Sequence, residues 1–296
     1  TYLYTRLRKA PLLYGLDTGD VLADPALDAR RQLWVTSAAR ILATHGMIRF
    51  DEVAGTLHPT SVGRIASRYY LGHETIAIFA TRLRNGIREA DALDCMSRAT
   101  DFAQIPLRDS EEDELTGLQE RVPCQVPGGT ATAPGKVNIL LQAHISHLFI
   151  EDFALVSDAR YVAQNAGRVL QALFELSLDR GFATAASAFL NLAKSVDKCV
   201  WPFEHPLRQY PTLNADVIHR ITMYADDLEV SQVRALPRAA LASLLRVNER
   251  VAGIVQDAAE RFPAIDMTVR ARPLPGDVCR LDIALRRAFT WDERLH

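Results

Sequence analysis

Apolar residues recur every three or four positions along most of the chain, which is the period of a helix that packs one face on a core. Period-two alternation is confined to 47–52 with 55–59, and to 267–270 with 279–285 beyond Pro263. The pattern predicts a mainly α-helical fold with a β tail. Helices are predicted at about 24–45, 62–70, 74–84, 90–99, 109–121, 136–147, 157–178, 185–199, 216–223, 237–246 and 250–262.

Capping residues mark several helix ends. Ser61 is the predicted N-cap of the helix at 62–70, and Ser157 is that of the helix at 157–178, which Gly181 ends. The second helix carries an apolar stripe of Val162, Ala166, Val169, Leu173 and Leu176. Beside it runs a polar stripe of Asp158, Tyr161, Asn165, Arg168 and Gln171. Residue chemistry alone favours a solvated face there, and a surface that grips a sugar-phosphate strand is the alternative.

The composition is that of an ordinary folded protein, with 296 residues, 48% hydrophobic and 24% charged. This length suggests about two domains. The net charge of −2 provides no global basic field for nucleic acid, although only four of the 34 cationic residues are lysines. Any phosphate binding must therefore come from locally placed arginines.

The cysteines and the apolar runs exclude several classes of protein. Four cysteines without a CxxC pair argue against a zinc knuckle, a redox motif and a disulfide framework, and they fit a reducing compartment. No apolar run approaches the roughly 18 residues of a membrane span, and the first residues do not form a signal or transit peptide. We therefore expect no membrane partner.

The stretch PGGTATAPGKVN at 127–138 looks like a phosphate-binding loop, but its spacing is wrong. A P-loop needs glycine five residues before the Gly-Lys pair and a hydroxyl directly after it. Thr130 stands at the glycine position and Val137 at the hydroxyl position. We therefore predict a structural loop that leads into a helix, and no cofactor site.

Two further groups of polar residues are predicted to be structural. The acidic run at 109–114 is expected to be a solvated cap, because carboxylates favour the positive end of the helix dipole. His144 and His147 share one helical face, but no third ligand is suitably spaced, so we predict ordinary helix histidines and no metal.

Six segments of the chain resemble the carboxy-terminal half of a helicase cassette in the Ski-like branch of superfamily 2, including its Sec-type helical unit. The likeness covers essentially the whole chain, and within the family it is nearest to the ribosome-quality-control helicases, with spliceosomal double-cassette helicases as the alternative. The segments are YLYTRLRKAPLLYG at 2–15, VGRIASRYYL at 62–71, GKVNILLQAHIS at 135–146, SDARYVAQNAGRVLQALFEL at 157–176, NLAKSVDKCVWPFEHPLRQY at 191–210 and FTWDERLH at 289–296.

The resemblance implies four structural parts. They are the tail of a winged-helix domain at 1–59, a helical bundle at 60–213 with a ratchet helix at 158–178, a helix-loop-helix at 214–263, and the start of an immunoglobulin-like β-sandwich at 264–296. The chain is thus expected to begin and end within domains. Two RecA-like motor domains that bind ATP and magnesium would precede Thr1.

The implied function is that of the accessory nucleic-acid-clamping region of an ATP-dependent RNA helicase, which remodels ribonucleoprotein in the rescue of stalled or collided ribosomes. Its implied partners are a single strand of RNA or DNA, its own motor domains, and subunits of a ribosome or ribonucleoprotein complex. A non-catalytic protein-interaction module and a spliceosomal helicase region are the alternatives. The ribosomal role implies a cytoplasmic location and the spliceosomal role a nuclear one.

The ratchet helix implies the residues that contact the strand. Arg168 and Asn165, three residues apart on one face, are the first candidates, and further candidates are Gln164, Tyr161 and Gln171. Arg64 and Arg68, one turn apart, are expected to contact a strand or the motor, with a buried salt bridge as the alternative. Three other features are expected to serve packing: Ala252-Gly253, which lacks the Gly-x-Gly turn of a phosphate-binding hairpin, and the aromatic residues Tyr69-Tyr70 and Trp201.

Overall fold

The computed structural model describes residues 2–291 and residue 293, so the end of the FTWDERLH segment lies outside the described residues. The predicted mainly α-helical fold with a β tail is confirmed. The helices are α1 (Tyr2–Lys9), α2 (Thr18–Ala23), α3 (Asp28–Thr44), α4 (Ser61–Arg68), α5 (His73–Arg82), α6 (Glu89–Ser97), α7 (Glu112–Gln119), α8 (Ala133–Ile145), α9 (Phe153–Asp179), α10 (Ala183–Lys198), α11 (Ala215–Tyr224), α12 (Val230–Ala235), α13 (Arg238–Leu245) and α14 (Glu249–Arg261).

Two antiparallel hairpins accompany the helices. One pairs β1 (Ile48–Asp51) with β2 (Thr56–Pro59), and the other pairs β3 (Ile265–Leu274) with β4 (Val278–Arg287). The chain divides into two compact units, and the boundary along the sequence falls between Asp197 and Lys198. None of the described helices is both long and apolar enough to cross a membrane.

The first hairpin is connected tightly to α4. Thr60 Oγ1 accepts the N–H of Gly63 at 3.0 Å and donates to the carbonyl of Met47 at 2.9 Å. The N-cap of α4 is therefore Thr60, and the prediction of Ser61 was wrong. Ser61 instead donates its hydroxyl to the carboxylate of Asp179 at 2.9 Å, which connects α4 to the end of α9. Whether a serine or threonine caps a helix or bonds elsewhere depends on its neighbours in the folded chain, and these cannot be read from the sequence.

The helix α3 begins later than predicted, and its apolar stripe is only partly covered. It starts at Asp28 because Leu27 adopts a left-handed conformation (φ 54°) that ends the preceding segment. Leu27 is buried, but Leu33, Trp34 and Ile41 are 54%, 41% and 42% exposed. Helical spacing places these apolar residues on α3, but the described part of the chain leaves three of them largely uncovered.

The long helix α9 forms the centre of the first unit. The five residues of its predicted apolar stripe are all buried, and α9 packs on α8, α4 and α6. Its N-cap is Asp152, which accepts the N–H of Leu155 at 2.9 Å, so the helix begins one turn before the predicted cap at Ser157. The predicted stop is confirmed, since Gly181 adopts φ 70° directly after the helix.

One residue of the acidic run, Glu111, belongs to a buried ion cluster, whereas Glu112 and Asp113 are exposed in the first turn of α7, as predicted. The ammonium group of Lys136 is fully buried and lies 2.5 Å from Glu111 and 2.8 Å from Asp158, and it donates to the carbonyl of Pro106 at 2.9 Å. Arg108 pairs with both carboxylates. The solvated role was wrong for Glu111, because the fold brings α8 directly against it.

This cluster also accounts for the loop that resembles a phosphate-binding motif. Thr132 caps α8 by accepting the N–H of Gly135 at 3.1 Å, which turns Lys136 towards the protein interior. The ammonium that a P-loop would offer to a phosphate is thus neutralised by two internal carboxylates.

The second unit has its own core, built from α11, α12, α13, α14 and the segment before them. Leu207, Tyr210 and Leu213 pack in this core, although the division by resemblance assigned them to the bundle. Helix α12 was not predicted. Ala252 and Gly253 are both buried residues of α14, and Ala252 belongs to this core. Their burial agrees with the expected packing role.

The second hairpin has one apolar and one charged face. Its register places Met267 opposite Leu285 and Val269 opposite Ile283, whereas Arg270 stands opposite Asp282 on the other face. The four apolar side chains are between 48% and 66% exposed. An amphipathic two-stranded sheet of this kind needs a further layer to cover its apolar face.

His205 in the second unit is buried as a neutral ring. Its Nδ1 accepts the N–H of Leu207 at 3.3 Å, and its Nε2 lies 3.1 Å from the carbonyl oxygen of Leu228. Burial lowers the pKa of the His205 imidazole from its usual value, although the hydrogen bond to Leu228 opposes the effect. Because the unfolded chain binds this proton more readily, the stability from the neutral ring is complete at high pH and is lost as pH falls below about 6.5.

We therefore expect the free energy of unfolding, measured by urea denaturation, to decrease between about pH 7.5 and 5.5. The His205→Gln variant is expected to show a smaller decrease over this interval, whatever its stability at neutral pH. His219→Gln is the control, since His219 is exposed on α11. Equal pH slopes in the two variants would contradict the assignment.

Candidate nucleic-acid interface

The polar stripe predicted to grip a strand is engaged within the first unit. The guanidinium of Arg168 lies 2.5 Å from the carboxylate of Asp101 and donates to the carbonyl of Tyr69. Tyr161 donates its hydroxyl to the carbonyl of Asp101 at 3.1 Å. Asn165 donates to the carbonyl of Tyr161 at 2.9 Å and accepts from Arg168 at 3.2 Å. Together these side chains attach α9 to the end of α4 and to the 3-10 turn at 100–102.

A second attachment lies two turns further along α9. Arg68 contacts both carboxylate oxygens of Glu175 at 2.9 Å, and the hydroxyl of Tyr69 donates to Glu175 at 2.8 Å. Burial, followed by the hydrogen bond to Glu175, raises the pKa of the Tyr69 phenol. The salt bridge that was expected as an alternative for Arg68 is therefore present. It is not buried as expected, because the side chain of Arg68 is 63% exposed.

The aromatic residues expected to be buried divide into two cases. Trp201 is buried in the second unit, as expected, with 3% of its surface exposed. Tyr70 is 86% exposed and adopts a left-handed conformation (φ 52°). The expectation of burial was therefore wrong for Tyr70, which the chain reversal after α4 turns outward.

Gln164 and Gln171 occupy a different face of α9 from the attached residues. Both are exposed, and neither makes a hydrogen bond within the part of the chain that the structure describes. Arg160 and Gly167 lie on the same face, one turn from Gln164 on either side. We call Arg160, Gln164, Gly167 and Gln171 the exposed stripe.

Two members of the exposed stripe suit contact with a phosphate backbone. Arg160 is exposed and makes no ion pair among the described residues. At Gly167 an added Cβ would meet no atom within 4 Å, so the small residue is not required by packing. A glycine inside a helix costs about 1 kcal/mol relative to alanine, and it lets a ligand approach the backbone closely. Arg160 was not among the predicted contact residues, although its spacing of four from Gln164 places it on the same helical face.

Arg64 presents a further cation on the neighbouring helix α4. It is exposed and forms no ion pair with any residue in the described ranges. Arg68, one turn later, is paired with Glu175. Of these two arginines, Arg64 is therefore the one whose charge remains available to a phosphate or to another protein.

Comparisons with known proteins agree with the resemblance. The chain is similar to the U5 small nuclear ribonucleoprotein 200 kDa helicase of Homo sapiens, with 33% identity, to the RQC trigger complex helicase SLH1 of Saccharomyces cerevisiae, with 37% identity, and to the activating signal cointegrator 1 complex subunit 3 of Dictyostelium discoideum, with 34% identity. Each likeness covers 100% of this chain and 13–15% of the relative, so the chain spans a small part of their length. A family model for the Sec63 Brl domain matches residues 59–296. The chain belongs to the Sec63 Brl domain family.

Proposed function

We propose that this chain is the accessory nucleic-acid-clamping region of an ATP-dependent RNA helicase that remodels ribonucleoprotein. The exposed stripe of α9 is the observation that carries the proposal, because it offers a cation, two amides and an open backbone along one helical face. Arginine and amide side chains are well suited to phosphate and sugar contacts that read no sequence. Two of the relatives are named as helicases, which supports the same role.

In the proposed mechanism α9 acts as the ratchet helix. A single strand of RNA or DNA lies along the exposed stripe, with Arg160 and Gly167 at its phosphates and Gln164 and Gln171 at its sugars. The side chains of Tyr161, Asn165 and Arg168 hold the helix in position, because they are committed to internal partners. Arg64 supplies a phosphate contact on one side of the strand or a contact with the motor. ATP and magnesium bind to two RecA-like motor domains outside this chain.

We infer that the complete helicase acts in the rescue of stalled or collided ribosomes, with ribosomal or ribonucleoprotein subunits as partners. One relative is named as a helicase of the RQC trigger complex, which supports this role and a cytoplasmic location. Another is named as a U5 small nuclear ribonucleoprotein helicase, which supports the spliceosomal alternative and a nuclear location.

The finer division of the fold is part of the same proposal. Helix α3 with the first hairpin is the tail of a winged-helix domain, and the second hairpin begins an immunoglobulin-like sandwich. The uncovered apolar face of that hairpin supports the second assignment, because a sandwich buries one such face of each sheet. The exposed apolar residues of α3 favour a protein-docking role as a second function for that part.

The strand contact can be tested by fluorescence anisotropy with labelled single-stranded oligouridylate across a range of salt concentrations. Arg160→Met is expected to weaken binding and to reduce the slope of log K against log salt by about 0.7, the effect of losing one phosphate contact on a single strand. Gln171→Leu is expected to weaken binding about fivefold at every salt concentration, as one hydrogen bond is lost.

Arg250→Met provides the matched control, because Arg250 is an exposed helical arginine in the second unit without an ion pair among the described residues. Its affinity and salt slope are expected to equal those of the parent chain. Binding that shows no dependence on salt, or equal effects of the Arg160 and Arg250 variants, would reject the clamp in favour of a scaffold. In the complete helicase the same Arg160 variant should lower RNA-stimulated ATP hydrolysis.

A further inference from the structure

A cavity of about 630 Å³ opens beside α9 in the first unit. Its walls come from the last turn of α8, the connection that follows, and the first turns of α9. Leu148, Ile150 and Val156 contribute to an apolar floor. The exposed lining residues form the mouth, and they are Phe149 and the polar residues His147, Arg160 and Gln164. An apolar cavity with a few convergent polar groups is the usual form of a small-molecule site.

The chemistry of the mouth favours a nucleobase. Phe149 is 75% exposed and offers an aromatic face, which is the surface on which unstacked bases pack. Arg160 supplies a cation that has no ion-pair partner among the described residues, and Gln164 supplies an amide that both donates and accepts hydrogen bonds. An aliphatic side chain of a protein partner would leave both polar groups unmatched, whereas a nucleotide uses all three.

The cavity is continuous with the exposed stripe. Arg160 and Gln164 belong to both features, so a strand that follows the stripe crosses the mouth of the cavity. The two residues are one helical turn apart, or roughly 6 Å along the axis. A strand contact at Arg160 therefore lies within about one nucleotide of a contact at Gln164.

The interior is suited to an uncharged group. His144 lines the cavity, and burial lowers the pKa of its imidazole from the usual value, with a hydrogen bond to the backbone of Val196 opposing the effect. The ring is thus neutral at neutral pH. A neutral His144 inside and the Arg160 cation at the mouth match a neutral base inside and an anionic phosphate outside.

We propose that this cavity accepts one unstacked base of the bound single strand, with the ring of Phe149 stacked on the base and Arg160 placed at the adjoining phosphate. The proposal rests on the strand-clamping function above and adds to it a defined base-binding subsite. Such a subsite would hold the strand at one nucleotide without reading its sequence, because stacking is available to every base.

The test compares two probes, labelled oligouridylate and a sugar-phosphate strand of the same length without bases. Phe149→Ala is expected to weaken oligouridylate binding by about tenfold, the effect of losing one stacked base, and to leave binding of the abasic strand unchanged. Phe153→Ala is the matched control, since Phe153 is 86% exposed nearby but does not line the cavity. It is expected to leave both affinities within about twofold of the parent.

A second measurement reports contact directly. A tryptophan introduced by Phe149→Trp should lose fluorescence when oligouridylate binds but not when the abasic strand binds, and one introduced by Phe153→Trp should respond to neither. Circular dichroism establishes that the variants are folded.

The outcomes separate the two proposals. If both strands bind with a salt dependence that requires Arg160, but Phe149→Ala has no larger effect than Phe153→Ala, the base subsite is rejected and the clamp stands. If Phe149→Ala weakens the binding of oligouridylate and of the abasic strand equally, the subsite is also rejected. If neither strand binds, both proposals are overturned.

Discussion

Replacing Lys136 by methionine is expected to lower the free energy of unfolding by about 3–5 kcal/mol, because it removes one partner from a buried ion cluster. The ammonium group lies 2.5 Å from Glu111 and 2.8 Å from Asp158, and the side chains of Lys136 and Glu111 are fully buried. Without the lysine, two carboxylates would face each other with Arg108 as their remaining cation. Burying an uncompensated charge costs far more than the attraction within a surface pair.

The expected loss can be measured by urea denaturation of the purified chain. Lys194→Met is the matched control, because Lys194 is an exposed lysine on helix α10 without an ion pair among the described residues. It should change the free energy of unfolding by less than about 0.5 kcal/mol. A loss below about 1 kcal/mol in Lys136→Met would show that the cluster is solvated or relaxes when the lysine is removed.

Gly63→Ala is expected to destabilise the chain by about 3 kcal/mol, at the upper end of the cost of overpacking. An added Cβ would lie 1.9 Å from the carbonyl oxygen of Met47 and 2.8 Å from its carbon atom. Both atoms belong to the backbone, so no side-chain rotation relieves the clash. The same carbonyl accepts hydrogen bonds from the N–H and hydroxyl of Thr60, which holds the hairpin against α4.

Gly117→Ala is the control for Gly63→Ala. Gly117 lies inside α7, and an added Cβ would meet no atom within 4 Å. The variant should therefore gain about 0.5–1 kcal/mol from helix propensity alone. Thermal denaturation should shift the midpoints of the two variants in opposite directions, and a shift of the same sign in both would contradict the close contact between α4 and the first hairpin.

Local chemistry allowed several features to be predicted from the sequence. The apolar stripe of α9 was found because helical periodicity identifies the residues that share a face. The positions of Thr130 and Val137 depart from P-loop spacing, which the sequence alone establishes because that motif is defined by residues close together along the chain. The strands of both hairpins were predicted from the alternation of apolar and polar residues and from the turn residues between them, which are local signals of a few positions.

Helix ends were predicted less well, because several residues compete for each cap. Thr60 and Asp152 replaced the predicted caps at Ser61 and Ser157. Ser61 found a partner on α9 instead, and Ser157 lies inside the helix that Asp152 begins. Each choice depends on which backbone segments approach the side chain, and such approaches involve residues far apart in sequence.

The sequence by itself determined most of the helices of this protein, the buried face of α9 and the absence of P-loop spacing, because these depend on residues close together along the chain. Only the tertiary structure decided that Arg168 is bound to Asp101 while Gln164 and Gln171 remain exposed. It also placed Lys136 against Glu111. Periodicity fixes the angle of a side chain around its helix, but the neighbour it meets at that angle is set by packing between distant segments.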